Sequence, residues 1–227
     1  MEAPSRRGAA KAVPRKSILP GRLPGAVRTF VVPAALVFLL AVPPVPSLAA
    51  GPTDEVRSAI NAVIDILNRP DLKGKAKTEE RRALLRKRIV PVFDFEEMAK
   101  RSLGIHWKKR TPREREEFVQ AFRDVIENSY LGKIEAYKGE KITYLKEKID
   151  PPFAVVDTLV VTTKGQEYPV NYLMLREGDR WRIYDVVIEG ISLVNNYRSQ
   201  FGEILRRSSF DDLMKKLRAA AARTKRV

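Results

Sequence analysis

Apolar side chains recur along the chain at two periods, and the period changes once. Between Val56 and Tyr130 they return every three or four residues, the spacing of a buried helix face. Val56, Ile60, Val63, Ile64 and Leu67 make one such stripe, with Thr53 placed to cap it and Arg69-Pro70 to end it. Asp71–Lys77 reads as a polar loop around Gly74, and a second helix follows Thr78 with Leu84, Leu85 and Ile89 inward, ending at Pro91. Asp94 with Glu97 three residues on resembles a capping box, and Gly104 suits the stop of that third helix. Thr111-Pro112-Arg113-Glu114 is a stronger start, combining a cap, a first-turn proline and an acid at the third position. Phe118, Ala121, Phe122, Val125, Ile126 and Tyr130 then share one stripe that runs on towards Tyr137.

Beyond Glu140 the pattern becomes that of strands. Lys141–Lys148, Ala154–Thr163, Glu167–Arg176 and Arg180–Ile188 are rich in Val, Ile, Tyr and Thr. Lys164-Gly165 and Glu177-Gly178-Asp179 between them are tight turns, so neighbours should pair antiparallel as a meander. The strands are apolar on both sides: Val155, Leu159 and Val161 against Val156 and Val160, then Trp181, Ile183 and Val187 against Tyr184, Val186 and Ile188. An antiparallel sheet usually turns one side to water. This one is expected to be covered twice or to line a cavity. Helical spacing returns after Ser192 with Leu193, Val194, Tyr197, Phe201, Ile204 and Leu205. A last helix should begin near Ser209 and fray into Ala219–Ala222. The fold expected is α+β: an antiparallel meander of about four strands packed against N- and C-terminal helices.

Composition adds exclusions. With 44% hydrophobic and 31% charged residues over 227, wholesale disorder is ruled out. The absence of cysteine removes disulfides, thiolate metal sites and thiol nucleophiles. One histidine, His106, leaves no His cluster, and beside Gly104 and Trp107 it reads as an ordinary packing or surface residue.

The formal net charge of +15 would suggest nucleic acid until it is located. Residues 1–49 hold seven basic residues and one acid, and Thr29–Thr53 carries no charge. The 14 residues Thr29–Val42 form a largely apolar run, followed by Pro43, Pro44 and Pro46 and then Ser47-Leu48-Ala49. That order describes a secretory signal peptide cut near Ala49. At about 21 Å the run is short for an uncleaved anchor, which needs ~30 Å. Ser5-Arg6-Arg7 hints at twin-arginine export, but Ala9 and Ala10 stand where that signal prefers bulky residues. The tail from Lys215 contributes +6, which leaves only +3 for Ala50–Met214. No nucleic-acid partner is expected. The division expected is 1–49 signal peptide, 50–217 α+β domain and 218–227 basic tail.

Motifs of catalysis are mostly missing. The chain has no glycine-rich phosphate loop, no G-x-S-x-G and no H-E-x-x-H. The pairs Asp54-Glu55, Glu96-Glu97 and Asp211-Asp212 lie in first turns, where the helix dipole favours acids. Asp185, mid-strand beside Tyr184, is the one acid with a second reading, as the base of a cavity enzyme. The structural reading, pairing with a nearby arginine, is preferred. Trp107, Phe118, Phe122, Tyr130, Tyr172, Trp181, Tyr184, Tyr197 and Phe201 are mostly core by the same reasoning, and 8% aromatic content is ordinary.

The stretch 181–201 reads WRIYDVVIEGISLVNNYRSQF. It resembles the W-x-I-x-D-V…E-G-x-S-L-x…Y-R-x-x-F block of the MlaC (toluene-tolerance) family of periplasmic phospholipid-binding proteins. Phe93-Asp94-Phe95, Met98-Ala99, Leu103-Gly104 with Trp107, and Phe118 with Phe122 and Tyr130 support it, and the likeness spans about Val56 to Leu217. The resemblance implies a nuclear-transport-factor-2-like or cystatin-like fold enclosing a deep apolar pocket for acyl chains. It implies a non-enzymatic carrier, with phospholipid as cargo and no cofactor. The implied partners are an outer-membrane lipoprotein–porin complex and an inner-membrane ABC transporter with an MCE-domain protein. A hopanoid or sterol-like cargo remains the alternative, and the protein is expected to be a monomer. Lipid-lining residues taken on this basis are Trp107, Phe118, Phe122, Tyr130, Val160, Val170, Tyr172, Ile188, Val194, Tyr197, Arg198 and Phe201. Arg198 or lysine residues near the mouth would meet a phosphate, and tyrosine hydroxyls would meet the ester region.

Overall fold

Residues 50–224 are described by a computed structural model; residues 1–49, expected to be a signal peptide cut near Ala49, and the last three residues of the basic tail lie outside them. Four helices come first: α1 (Pro52–Asn68), α2 (Thr78–Ile89), α3 (Phe95–Leu103) and α4 (Pro112–Glu135). Strands β1 (Lys141–Asp150), β2 (Phe153–Val161), β3 (Glu167–Glu177), β4 (Arg180–Ile188) and β5 (Ile191–Ser192) follow, then α5 (Leu193–Arg207) and α6 (Phe210–Thr224). Short 3₁₀ turns fill the gaps at Pro70–Leu72, Lys75–Lys77, Val90–Val92 and Gly104–Lys109.

Helix starts show which local signals hold. At α4 the capping box is complete: the Glu114 amide donates to Thr111 Oγ1 at 3.3 Å, and the Thr111 amide donates to the Glu114 carboxylate at 2.7 Å. At α3 only half of it forms. Asp94 accepts from the Glu97 amide, but the Glu97 carboxylate turns to Lys100 and Arg101. The Asp94 amide instead donates to the Ile183 carbonyl at 2.8 Å, fastening α3 to β4. Thr53 does not cap α1. Gly51 is its N-cap and has no side chain to accept a bond, so Glu147 reaches across from β1 and takes the Thr53 amide at 2.8 Å and hydroxyl at 2.6 Å. Nothing local in the sequence announces that tertiary cap.

The strands form one antiparallel sheet in the order β1-β2-β3-β4-β5, so the meander is as expected, with a two-residue fifth strand added. The apparent two-sidedness of β4 has a geometric cause. Ile183 pairs with Met174 and Asp185 with Leu173, so Tyr184 is an extra residue in a β-bulge. The bulge shifts the alternation by one residue: Trp181 and Ile183, then Val186 and Ile188, all fall on one face, termed the inner face here. Ala154, Val156, Thr158 and Val160 share that face, and α1 covers part of it. On the outer face Val155, Leu159, Leu173 and Val187 stay half-buried, with the Asp157–Asn171 side-chain bond among them.

Asp185 makes the joint between sheet and helices. It is 5% exposed, and its carboxylate accepts from the Ser192 hydroxyl and, at 3.0 Å, from the Val194 amide in the first turn of α5. Ser192 in turn caps α5 by accepting from the Asn195 amide. The expected arginine partner is absent from this joint; the helix N-terminus takes its place.

Helix α2 is attached differently. It buries only Leu85 completely, yet Arg81 and Arg82 both reach Glu135 at 2.7–2.8 Å, and Arg86 shares Glu127 with Arg123. Helix α6 lies against α4, where Arg218 meets Glu117 at 3.1 Å and the Asn128 amide donates to the Ala221 carbonyl. These contacts explain why the four alanines at 219–222, expected to fray, stay helical.

Replacing Asp185 by Ala removes two charge-assisted bonds and leaves a buried amide unpaired. The expected loss is roughly 2–4 kcal/mol of stability, read as a lower urea midpoint at unchanged m-value.

Candidate functional site

Domains of this size usually have one contiguous core. Here the fully buried residues fall into three separate clusters. One is helical, built from α3, α4, α5 and α6; one joins α1 to the inner face of the sheet; the third joins α1, α2 and the preceding turn. Apolar side chains with partial exposure fringe each of them: Tyr130 and Tyr197 on the first, Ile60, Tyr144, Tyr172 and Val186 on the second, Val63, Leu67 and Ile134 on the third. Phe93 packs against both the first and the second. A close-packed interior leaves few such half-accessible positions between its parts.

Tyr172 shows the character of this region most clearly. It keeps partial exposure, yet burial pushes its hydroxyl up to about 12, with Tyr144 adding to the effect and Thr158 opposing it. Tyr172 is thus desolvated on the inner face while its side chain keeps partial exposure. The same desolvation raises Tyr130 and Tyr144, and it raises Tyr197 on α5. Val160, Val170, Tyr172 and Ile188 all lie on the inner face, since Val170 pairs with both Thr158 and Ile188, and Tyr172 pairs with Val156 and Val186. The structure therefore groups the four strand residues inferred from the sequence.

The helix residues divide further. Phe118, Phe122, Phe201 and Val194 are buried members of the helical cluster, with Phe118 and Phe122 at 0% exposure. Their rings interlock: Phe118 and Phe122 each lie 5.6 Å from Phe201, and Phe122 lies 5.1 Å from Tyr197 edge-on. Tyr130 and Tyr197 sit at the border of that cluster. Trp107 is buried under the Arg115 guanidinium, 5.3 Å from its ring. It borders a groove of about 800 Å³ between α4 and α6, also lined by Val119, Gln120, Ala121, Arg218 and Ala221. Arg198 is exposed on α5 and forms no ion pair among the described residues. It lies so close to Gly104 that a Cβ there would stand 3.2 Å from its Nε, and Gly104 also has φ +59°.

The alternative acid/base pair is engaged elsewhere. Both oxygens of Asp185 serve the strand–helix joint. Tyr184 lies under the Arg101 guanidinium at 4.1 Å, and burial raises its hydroxyl. Among the described residues no group of three or more His, Asp and Glu side chains could hold a metal ion. No described helix is long and apolar enough to cross a membrane.

Several fringe residues were not legible as site residues. Ile60 and Val63 looked like any inward helix stripe, and Tyr144 like any strand aromatic.

Comparison with known proteins adds to this geometry. The family model described as "MlaC protein" matches residues 57–219. The Haemophilus influenzae intermembrane phospholipid transport system binding protein MlaC is 25% identical over 146 residues, 62% of this chain and 68% of that protein. The Pseudomonas putida toluene tolerance protein ttg2D is 25% identical over 178 residues, 78% of this chain and 83% of that one. A solved phospholipid-binding protein from Ralstonia solanacearum, in complex with a phospholipid, superimposes with a TM-score of 0.69. It is 24% identical, the match covers 78% of this chain and 99% of that chain, and it supports the α+β fold described above.

Core and half-buried residues should separate by stability. Phe122→Ala should cost about 3–5 kcal/mol, whereas Val160→Ala should cost about 1 kcal/mol or less. Urea unfolding of lipid-free protein measures both, and equal losses would contradict the division.

Proposed function

The chain belongs to the MlaC family, and on that premise we propose that it is a periplasmic phospholipid carrier without enzymatic activity. It would carry lipid between an outer-membrane lipoprotein–porin complex and an inner-membrane ABC transporter carrying an MCE-domain protein, maintaining outer-membrane lipid asymmetry. The export segment read at residues 1–49 supports the compartment. The observation that carries the reading is the division of the core into three clusters fringed by half-buried apolar side chains, with desolvated Tyr172 among them.

The energetics suit the task. Moving one ~16-carbon acyl chain from a bilayer into water costs about 12 kcal/mol, at ~0.8 kcal/mol per CH₂. A carrier must replace nearly all of that contact with its own apolar surface. Val160, Val170, Ile188 and Val186 on the sheet, with Tyr130 and Tyr197 from the helices, supply such a surface. Because aliphatic walls hold chains by burial and shape, chains of different length would be accepted. Arg198, exposed and without an ion-pair partner among the described residues, is available to a phosphate.

Protein purified without detergent should release intact phospholipid on extraction, identified by mass spectrometry. Ile188→Glu or Val170→Glu should abolish that lipid while the fold is retained, because a buried uncompensated carboxylate opposes an acyl chain. Lipid content equal to wild type in both folded variants would refute the proposed lining.

A further inference from the structure

On the inner face of the sheet one hydrogen-bond donor is unused. The Tyr144 hydroxyl is fully buried and has no partner. Its neighbours explain why it stays free. Tyr144 stands opposite Thr158 across β1 and β2, and the Thr158 hydroxyl, 1% exposed, already donates to the Val170 carbonyl at 2.8 Å. The Tyr172 hydroxyl is close enough to interact with both Thr158 and Tyr144. In this trio the Thr158 proton is committed, and the Tyr144 hydroxyl is the buried donor left without an acceptor.

The surroundings restrict what that acceptor is. Apolar Ile60, Ala59 and Val186 border the same cluster. Arg57 lies over the Tyr144 ring face at 4.7 Å and is already paired with Asp54 at 3.2 Å. One neutral hydroxyl does not by itself satisfy a phosphate, whose several anionic oxygens each need a partner. It does match a single neutral carbonyl. We propose that Tyr144, backed by Thr158 and Tyr172, donates a hydrogen bond to the carbonyl oxygen of an acyl ester in the bound lipid. This inference rests on the phospholipid-carrier reading and adds a selection within it. Ester-linked chains are favoured over ether-linked chains, and over polycyclic hydrocarbons that have no carbonyl.

The test uses the protein lacking residues 1–49, stripped of lipid and titrated with two phosphatidylglycerols of equal chain length. One is diacyl, the other dialkyl and lacking only the carbonyls. Wild type should bind the diester about 5- to 10-fold more tightly, the effect of one hydrogen bond between neutral partners. Tyr144→Phe should bind both at the diether's affinity, and Tyr184→Phe, outside the trio, should keep the wild-type ratio. Equal affinities in wild type would overturn the inference while leaving phospholipid carriage intact, and they need no variant to fold. A preference that survives in folded Tyr144→Phe would overturn it equally. Binding of neither lipid would refute the carrier reading and the inference with it.

Discussion

The placement of the helical half of the protein against its sheet depends on one buried carboxylate. Asp185 stands next to a bulged residue, and the bulge turns its side chain towards the edge of the sheet, where α5 begins. Two donors from α5 and its cap close on it. A neutral side chain there would leave the Val194 amide orphaned, and without the extra residue in the strand the acid would face elsewhere. Strand, bulge, acid, cap and helix are therefore one unit, which explains why 181–201 reads as a continuous word in the sequence. The Gly190 backbone, at φ +80°, makes the tight turn that brings the cap within reach of the acid.

A core divided in three needs fastening by other means. The half-box at α3 gives up its return bond so that Asp94 can grip β4, and Glu147 crosses from β1 to finish α1. In both cases a polar group that a single helix would satisfy internally is used between elements. These directed bonds tie the separate clusters to one another.

Much of the fold was legible because it rests on local rules. The Thr111 box, the turns at Gly165 and Gly178, and the Ser192 cap each follow from a few adjacent residues. The family block at 181–201 added the order of elements and their role. What was not legible came from contacts distant in sequence. The tertiary cap on α1 depends on a residue 94 positions away. The bulge at Tyr184 disguised a one-sided strand as a two-sided one. Phe118, Phe122 and Phe201, taken as lining from the family resemblance, form a buried helical cluster. Tyr144, less conspicuous in the sequence, holds the unused hydroxyl. Aromatic spacing identifies a buried stripe, but only the partners of each ring tell core from lining.

The seam between α2 and α4 has a different thermodynamic character from the rest of the interior. Two carboxylates, each only about a tenth exposed, collect four arginines there, while α2 buries one side chain completely. Separating such a seam uncovers little hydrocarbon, so it carries little heat-capacity change. It does expose charges that mobile ions can screen. Helix α2 is thus held in part by ion pairs that mobile salt loosens, and in part by the packing of Leu84, Leu85 and Ile89 in the third cluster, which salt leaves untouched.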